Sequence, residues 1–268
     1  MAISSPTGKP LLLRPIHPNI GIEKQFKRKL EAMIAEMQES IEFHLLRSYE
    51  AHEPVMAADS ILPSVFLNAL MKRVAATWLR RFTEAAPILA RYFTGKIHEN
   101  NDVVMKSALR DAGFSVKFQT TKAMQDVVES TVHGQVSLIK SIAQEHLADV
   151  EELVMRSVQA GRDLGGLKKE LQHRYKLTNY RSGLIAQNQN NVASAMMQRA
   201  RQKELGITEA VWMHSHGGRK PRESHVAFSG HRYDIDKGAY LDGVWTWPGK
   251  EINCRCVMKS VIPALDNK

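Results

Sequence analysis

The chain has 268 residues, with 37 Lys plus Arg against 28 Asp plus Glu, giving a net charge of +9. That length predicts one large domain or two modest ones, and a composition with 43% hydrophobic and 24% charged residues excludes wholesale disorder, collagen and a disulfide scaffold. The only cysteines are Cys254 and Cys256, which favours a reducing compartment. No stretch approaches the roughly 20 apolar residues of a membrane span, so no membrane anchor is expected.

The positive charge is unevenly distributed. Residues 162–232 carry 13 basic and 5 acidic side chains, a net charge of +8. Such a stretch attracts polyanions, with nucleic acid the obvious partner, because phosphate charge dominates that kind of binding. The alternative is a solvated basic face without a partner, and charge by itself does not separate the two.

The N-terminal half is predicted to form an extended arm followed by helices. Prolines in residues 1–20 predict the arm, since proline removes amide donors. From Ile22 to Leu45 apolar residues recur every three or four positions, which predicts a helix that packs into the core or against a partner helix. Further predicted helices cover residues 64–82, 85–92, 101–113 and 135–159.

The C-terminal half changes character. Asp163 is placed to cap a short helix, and Asn179 to cap another that runs to Leu205 and stops at Gly206. A strand is predicted over 207–213, then glycine-rich loops with short strands, then extended segments over 252–257 and 260–262. The fold class predicted is α+β: a mostly helical N-terminal half followed by a small α+β C-terminal unit.

Five adjacent amides, residues 187–191, lie inside the last predicted helix. Asn and Gln have a lower helix preference than Ala or Leu, so five of them in a row within a helix indicate that some of these side chains make specific contacts. One reading is a hydrogen-bonding hub that joins this helix to the loop-rich unit. The other is a solvated helix face, and the sequence favours neither.

Four histidines and two cysteines lie within residues 212–256, enough donors for a zinc ion. Alternation along a strand would point both sulfurs of the Cys-x-Cys pair to one face, although structural zinc sites usually space their cysteines by two to four residues. The alternative is two small residues packed into a core. The ligand set considered is Cys254, Cys256 and His225 with one of His214, His216 or His231.

An enzymatic interpretation uses the same residues. His225 with Asn253 and a second histidine would suit a metal-dependent nuclease, in which histidine is the general base and a metal binds the phosphate. No carboxylate pair accompanies them in the sequence. A structural His225, which holds a loop by hydrogen bonds, is therefore the favoured reading.

In this order the C-terminal residues resemble the phage minor head protein family, also called the Mu protein F-like or head-morphogenesis family. The resemblance covers about Val150 to Pro263, including a helical element at 185–189. Gln187 and Asn188 stand where the family usually has an arginine and often an acid, so amide contacts would replace an ion pair. The motif residues are Trp212, Pro221, Arg222, His225, Gly230, Pro248, Gly249, Asn253, Cys254 and Cys256.

The resemblance implies a non-enzymatic minor head protein of a tailed double-stranded DNA phage. Its expected place is the virion head near the portal, and the host cytoplasm during assembly. It would act in head morphogenesis and in the packaging, handling or delivery of DNA. The expected protein partners are the portal protein and the major capsid or scaffold protein. The runner-up is a metal-dependent nuclease or toxin-like effector that uses His225, Cys254 and Cys256.

Three regions follow from this interpretation: an arm at 1–20, a helical capsid- or portal-docking region at 21–119, and a Mu F-like domain at 120–268. Phage double-stranded DNA would be contacted without sequence specificity, through phosphate charge. The residues expected to make that contact are Lys168, Lys169, Arg174, Lys176, Arg181, Arg199, Arg201 and Lys203.

Overall fold

The computed structural model describes residues 3–5, 9–51, 63–161, 163–217 and 220–264. Four long helices come first, after a two-residue strand, and short strands follow, which confirms the α+β class. Among the described residues, no helix has both the length and the apolar character needed to cross a bilayer. The helices are α1 (Ile20–Ala51), α2 (Pro63–Asp111), α3 (Lys122–Gln159), α4 (Leu164–Glu204) and the short α5 (Glu223–Ala227).

Helix α2 unites three helices that the sequence predicted separately, and it runs through Pro87. Proline removes the hydrogen bond to the carbonyl four residues earlier, which belongs to Thr83. Thr83 is exposed, so water can satisfy that carbonyl. The predicted break was wrong because a solvent-side proline can be accommodated within a helix that is long enough to pack on both sides of it.

Helix α4 likewise joins two predicted helices, and Asn179 lies within it rather than at a cap. Thr178 and Ser182 are buried there, and their hydroxyls bond to helix carbonyls three or four residues earlier. The predicted start and end of the helix, at Asp163 and Gly206, are confirmed. Asp163 Oδ1 accepts the N–H of Gly166 at 2.9 Å, and Gly206 has a φ of +70° just past the helix end.

The described chain divides into two compact units that do not follow chain order. One comprises Met1–Glu23, Arg91–Val132 and Ala186–Lys268, and the other comprises Lys24–Ala90 and His133–Ile185. All four long helices contribute residues to both units. The division into functional regions at 1–20, 21–119 and 120–268 stays a prediction.

The first unit contains a four-stranded antiparallel sheet whose strands are, in spatial order, β1 (Leu11–Leu12), β6 (Val257–Ile262), β2 (Glu209–Met213) and β3 (Arg232–Asp234). Leu11 in the arm pairs with Ile262, so part of the extended arm is an edge strand. A separate hairpin turns at Asp242 and Gly243, both with positive φ, as a two-residue hairpin turn requires. The hairpin strands are β4 (Ala239–Leu241) and β5 (Val244–Thr246).

The second unit is built from helical segments and buries His146 of α3 completely. Its Nδ1 lies 2.9 Å from the Thr178 hydroxyl. Burial lowers the pKa of His146 to about 4, with a further contribution from Arg174, while Asp149 opposes the shift. His146 is therefore neutral in the folded protein at physiological pH, and protonation would place a charge in the interior.

This histidine predicts a specific pH dependence of stability. Its folded pKa lies below the unfolded value of 6.5, so its contribution is present above pH 6.5 and lost as the pH falls toward 4. We expect this residue to remove about 2 kcal/mol of unfolding free energy between pH 7 and pH 5. Urea unfolding at several pH values measures this loss. The unfolding free energy of His146→Gln should not show it between pH 7 and pH 5, whereas that of the control His173→Gln, a change at an exposed histidine, should. Equal losses in all three proteins would contradict the assignment.

Candidate functional site

Residues of the family motif converge on Trp212, a fully buried side chain of β2. Its ring makes edge-on contacts with His225, Phe228 and Tyr233, at centroid distances of 4.9, 5.9 and 6.0 Å. Its carbonyl accepts the N–H of Gly230 at 2.8 Å. Trp212 is thus the surface against which α5 and the turn after it pack.

His225, Cys254 and Cys256 form a buried cluster beside that tryptophan. His225 is the buried residue of α5, and its Nδ1 lies 3.6 Å from Cys254 Sγ and 3.8 Å from Cys256 Sγ. The three donor atoms all lie within 4.8 Å of one another. The structure therefore brings together the three predicted metal-ligating residues. In the part of the chain it describes, His214, His216 and His231 are not members of this group.

The cysteines do not reach this cluster by strand alternation, as the sequence suggested. β6 begins only at Val257, and Asn253 adopts a left-handed φ of 60°. Asparagine tolerates that conformation better than most residues. The turn it makes lets the loop bring both sulfurs toward His225.

The two sulfurs have opposite acid–base tendencies. The Cys256 thiol donates to the Cys254 sulfur, and the backbone N–H groups of Cys256 and Gly249 also point at it, so the pKa of Cys254 is lowered despite burial. The same shared hydrogen, with burial, raises the pKa of Cys256, against smaller opposing effects from Trp212 and the Ser215 backbone. Of the two thiols, Cys254 therefore has the lower pKa.

The amide run of α4 is a hydrogen-bonding hub, so the first of the two sequence readings is confirmed. The amides reach the loop that carries the cysteines, and amide hydrogen bonds stand where the resemblance implies an ion pair. The pairs are Gln187 Oε1 with the Arg255 guanidinium at 3.1 Å, Asn188 Oδ1 with the Asn253 N–H at 3.0 Å, and Asn191 Nδ2 with the Cys254 carbonyl at 3.1 Å.

Arg222 and Pro221 lie just before α5. The Arg222 guanidinium donates to the Ile252 carbonyl at 3.1 Å, so it links the start of α5 to the loop before the cysteines. Pro221 is exposed. Arg222, just before α5, and His225, in the middle of α5, thus contact the same loop.

Gly249 lies where the loop approaches α4 most closely. Its φ is +83°, and a Cβ at this position would lie 3.2 Å from the Ala195 Cβ and 3.4 Å from the Asn191 carbonyl oxygen. Its N–H also points at the Cys254 sulfur. The backbone conformation and the close approach to α4 therefore explain why position 249 requires glycine.

We expect Gly249→Ala to lower the unfolding free energy by roughly 2–3 kcal/mol, from the positive φ plus crowding against α4. Gly243→Ala is the matched control, because Gly243 has a similar φ of +81° and a Cβ added there would have no neighbour within 4 Å. The control should lose only the part of the unfolding free energy that comes from the strained backbone, about 1 kcal/mol. Equal losses in thermal or urea unfolding would show that the approach to α4 is unimportant.

Three of the eight predicted DNA-contacting residues have free charges. Lys168, Lys169 and Lys176 are exposed, and none forms an ion pair within the described residues. The Arg174 and Arg181 guanidinium groups instead pair with Asp149 and with Glu145, the latter at 2.7 Å. These five basic residues all belong to the second unit.

The other three residues lie in the first unit, where they form hydrogen bonds or ion pairs with other residues of that unit. Arg199 donates to the Ile235 and Asp236 carbonyls and stacks 4.1 Å from the centre of the Trp247 ring. Lys203 pairs with Asp236 at 2.5 Å. The Arg201 side chain is 3% exposed and cannot reach a phosphate, so the expectation for Arg201 requires correction.

Arg201 instead forms the centre of a buried ionic cluster. It donates two hydrogen bonds to the Asp102 carboxylate, both at 2.8 Å, and one to Glu204 at 2.6 Å. A further bond goes to the Gln119 carbonyl at 2.7 Å. The sequence did not reveal this pairing, because nothing local indicates that Asp102 has a partner 99 positions away.

Residues 148–259 match the model of the family described as Phage Mu protein F like protein. An uncharacterized protein of Haemophilus influenzae is 25% identical over 259 residues, covering 95% of this chain and 56% of that protein. The chain thus spans a little over half the length of this curated relative. No solved structure matches. The resemblance predicted from the sequence is confirmed over residues 148–259, which are similar to the family described as Phage Mu protein F like protein.

Proposed function

We propose that this protein acts in phage head morphogenesis as a minor head protein and that it is not an enzyme. The observation that carries the proposal is the family match over 148–259, which coincides with the motif residues packed around Trp212. The family favours a structural phage protein located in the virion head.

Burial supports a structural rather than a catalytic use of the motif. His225, Cys254 and Cys256 are 3%, 4% and 5% exposed, whereas a general base must come within hydrogen-bond reach of its substrate. The nuclease alternative is tested by incubating the full chain with plasmid DNA and divalent metals. Cleavage that disappears in a folded His225→Gln variant would overturn the non-enzymatic proposal.

The proposal predicts a place in the virion. Mass spectrometry of purified virions of the source phage should find the chain in few copies per head. A nonsense mutation in its gene should abolish DNA-filled heads, while the tails are still made. Normal, infectious heads without the protein would contradict the proposed role.

The partners proposed are the portal protein and the major capsid or scaffold protein. Each compact unit draws on residues from both sides of residue 120, so cutting the chain there would disrupt both units. The full chain is therefore the right bait. It should be recovered with one of these three head proteins when they are co-expressed, and recovery with none of them would contradict the docking proposal.

We also propose a DNA contact, now confined to Lys168, Lys169 and Lys176. Their ammonium groups are exposed and outside the ion pairs that occupy the neighbouring arginines. Such groups bind phosphates without reading sequence. The expected contact is therefore much smaller than the net charge of residues 162–232 suggests.

The salt dependence of binding tests the size of this contact. Three phosphate contacts predict a slope of log K against log salt of about −3, whereas eight would give about −7. Changing the three lysines to glutamine should flatten the slope. The charge-matched control is Lys24→Gln/Lys29→Gln/Lys117→Gln, three exposed lysines elsewhere. If both triple variants lose affinity equally, the contact is diffuse and the assignment to α4 is wrong.

A further inference from the structure

The cluster of His225, Cys254 and Cys256 has the dimensions of a metal site. Zinc binds sulfur at about 2.3 Å and imidazole nitrogen at about 2.0 Å, so a tetrahedral site separates nitrogen from sulfur by about 3.6 Å. The observed separations from His225 Nδ1 are 3.6 Å to Cys254 Sγ and 3.8 Å to Cys256 Sγ. Hydrophobic packing alone does not require three soft donor atoms to converge on one point at this spacing.

The chemistry of the donors favours zinc over harder cations. Two cysteine sulfurs and one imidazole suit zinc, whereas magnesium and calcium take oxygen ligands. Backbone N–H groups of Gly249 and Ser215 also point at the sulfurs of Cys254 and Cys256, respectively. Hydrogen bonds from outside the ligand set are the usual means by which a protein orients and tunes metal ligands.

We propose that His225, Cys254 and Cys256 bind one zinc ion, which fastens α5 to the loop leading into β6. The fourth position would be filled by water, as in zinc sites with three protein ligands. The proposal is independent of the role in phage heads, since the ion would serve the fold of this region.

The ion would add a link between α5 and the loop that precedes β6. α5 has five residues, and its preceding residue makes no side-chain cap. Its other links to neighbouring segments include Arg222 to Ile252 and the Ser224 hydroxyl to Asp242 at 2.7 Å. A zinc bond from His225 to two cysteines would fix this short helix, and metal binding would then contribute directly to folding.

The test begins with the full chain, expressed in zinc-containing medium and purified without chelators or metal-affinity resins. Elemental analysis should find about one zinc per chain. His225→Gln and the double variant Cys254→Ser/Cys256→Ser should have only background zinc. His231→Gln is the matched control, because this exposed histidine lies near the same helix but outside the cluster, and it should retain full zinc.

A second measurement does not depend on variants that fold. Wild-type protein stripped of zinc should bind cobalt(II) with the absorption typical of tetrahedral thiolate coordination, and zinc should displace the cobalt. Since the chain has two cysteines in all, thiol alkylation followed by mass spectrometry gives a direct count. Both thiols should alkylate faster after chelation. Folded wild-type protein without zinc, and without the cobalt spectrum, would overturn the proposal and leave a hydrogen-bonded packing cluster.

Discussion

Replacing Trp212 by alanine is expected to lower the unfolding free energy by about 3–5 kcal/mol. The indole is fully buried, and its removal would leave a cavity among His225, Phe228 and Tyr233. Because those rings belong to α5, the turn after it and β3, the cavity cannot close without moving several elements. Urea or thermal unfolding of the purified full chain measures the loss.

The control for that result is Trp245→Ala on the hairpin of β4 and β5. Trp245 is 53% exposed, so its loss should cost less than about 1 kcal/mol. Trp212→Phe should fall between the two, since it retains an aromatic ring but fills less volume. A Trp212→Ala variant as stable as the Trp245 control would show that the motif does not organise this core.

Arg201→Met is expected to cost about 3 kcal/mol, because removing one partner leaves charges that are largely withdrawn from water. The Asp102 and Glu204 side chains are 18% and 22% exposed, and both form an ion pair with this guanidinium. Arg201→Lys should recover part of the loss. A lysine retains the charge but cannot reproduce the two parallel bonds to Asp102.

The matched control is Arg232→Met, which breaks the ion pair with Glu209. Both side chains of that pair are 50% exposed, so the expected cost is below about 1 kcal/mol. Denaturation at two salt concentrations separates the cases further, since screening should weaken the exposed pair more. Similar costs for the two variants would show that burial does not distinguish Arg201. DNA affinity reduced in a folded Arg201→Met variant would contradict its removal from the proposed DNA contact.

The ends of helices could be predicted where one residue decides the local conformation. Asp163 and Gly206 are examples, because a side-chain cap or a positive φ is a property of a few neighbouring positions. The internal breaks at Pro87 and Asn179 were wrong for the opposite reason. A local helix-breaking tendency of a few kcal/mol or less is outweighed when residues on either side of it are buried.

By itself the sequence determined the resemblance of the C-terminal segment to the Mu protein F-like family and the α+β class, since both depend on residue type and order along the chain. Only the tertiary structure decided which residues meet. It placed His225 beside two cysteines about 30 positions away, joined the amide run to the loop that carries them, and buried Arg201 against Asp102. These partners lie far apart in sequence, and local propensity and charge counts contain no information about contacts that depend on how distant segments pack.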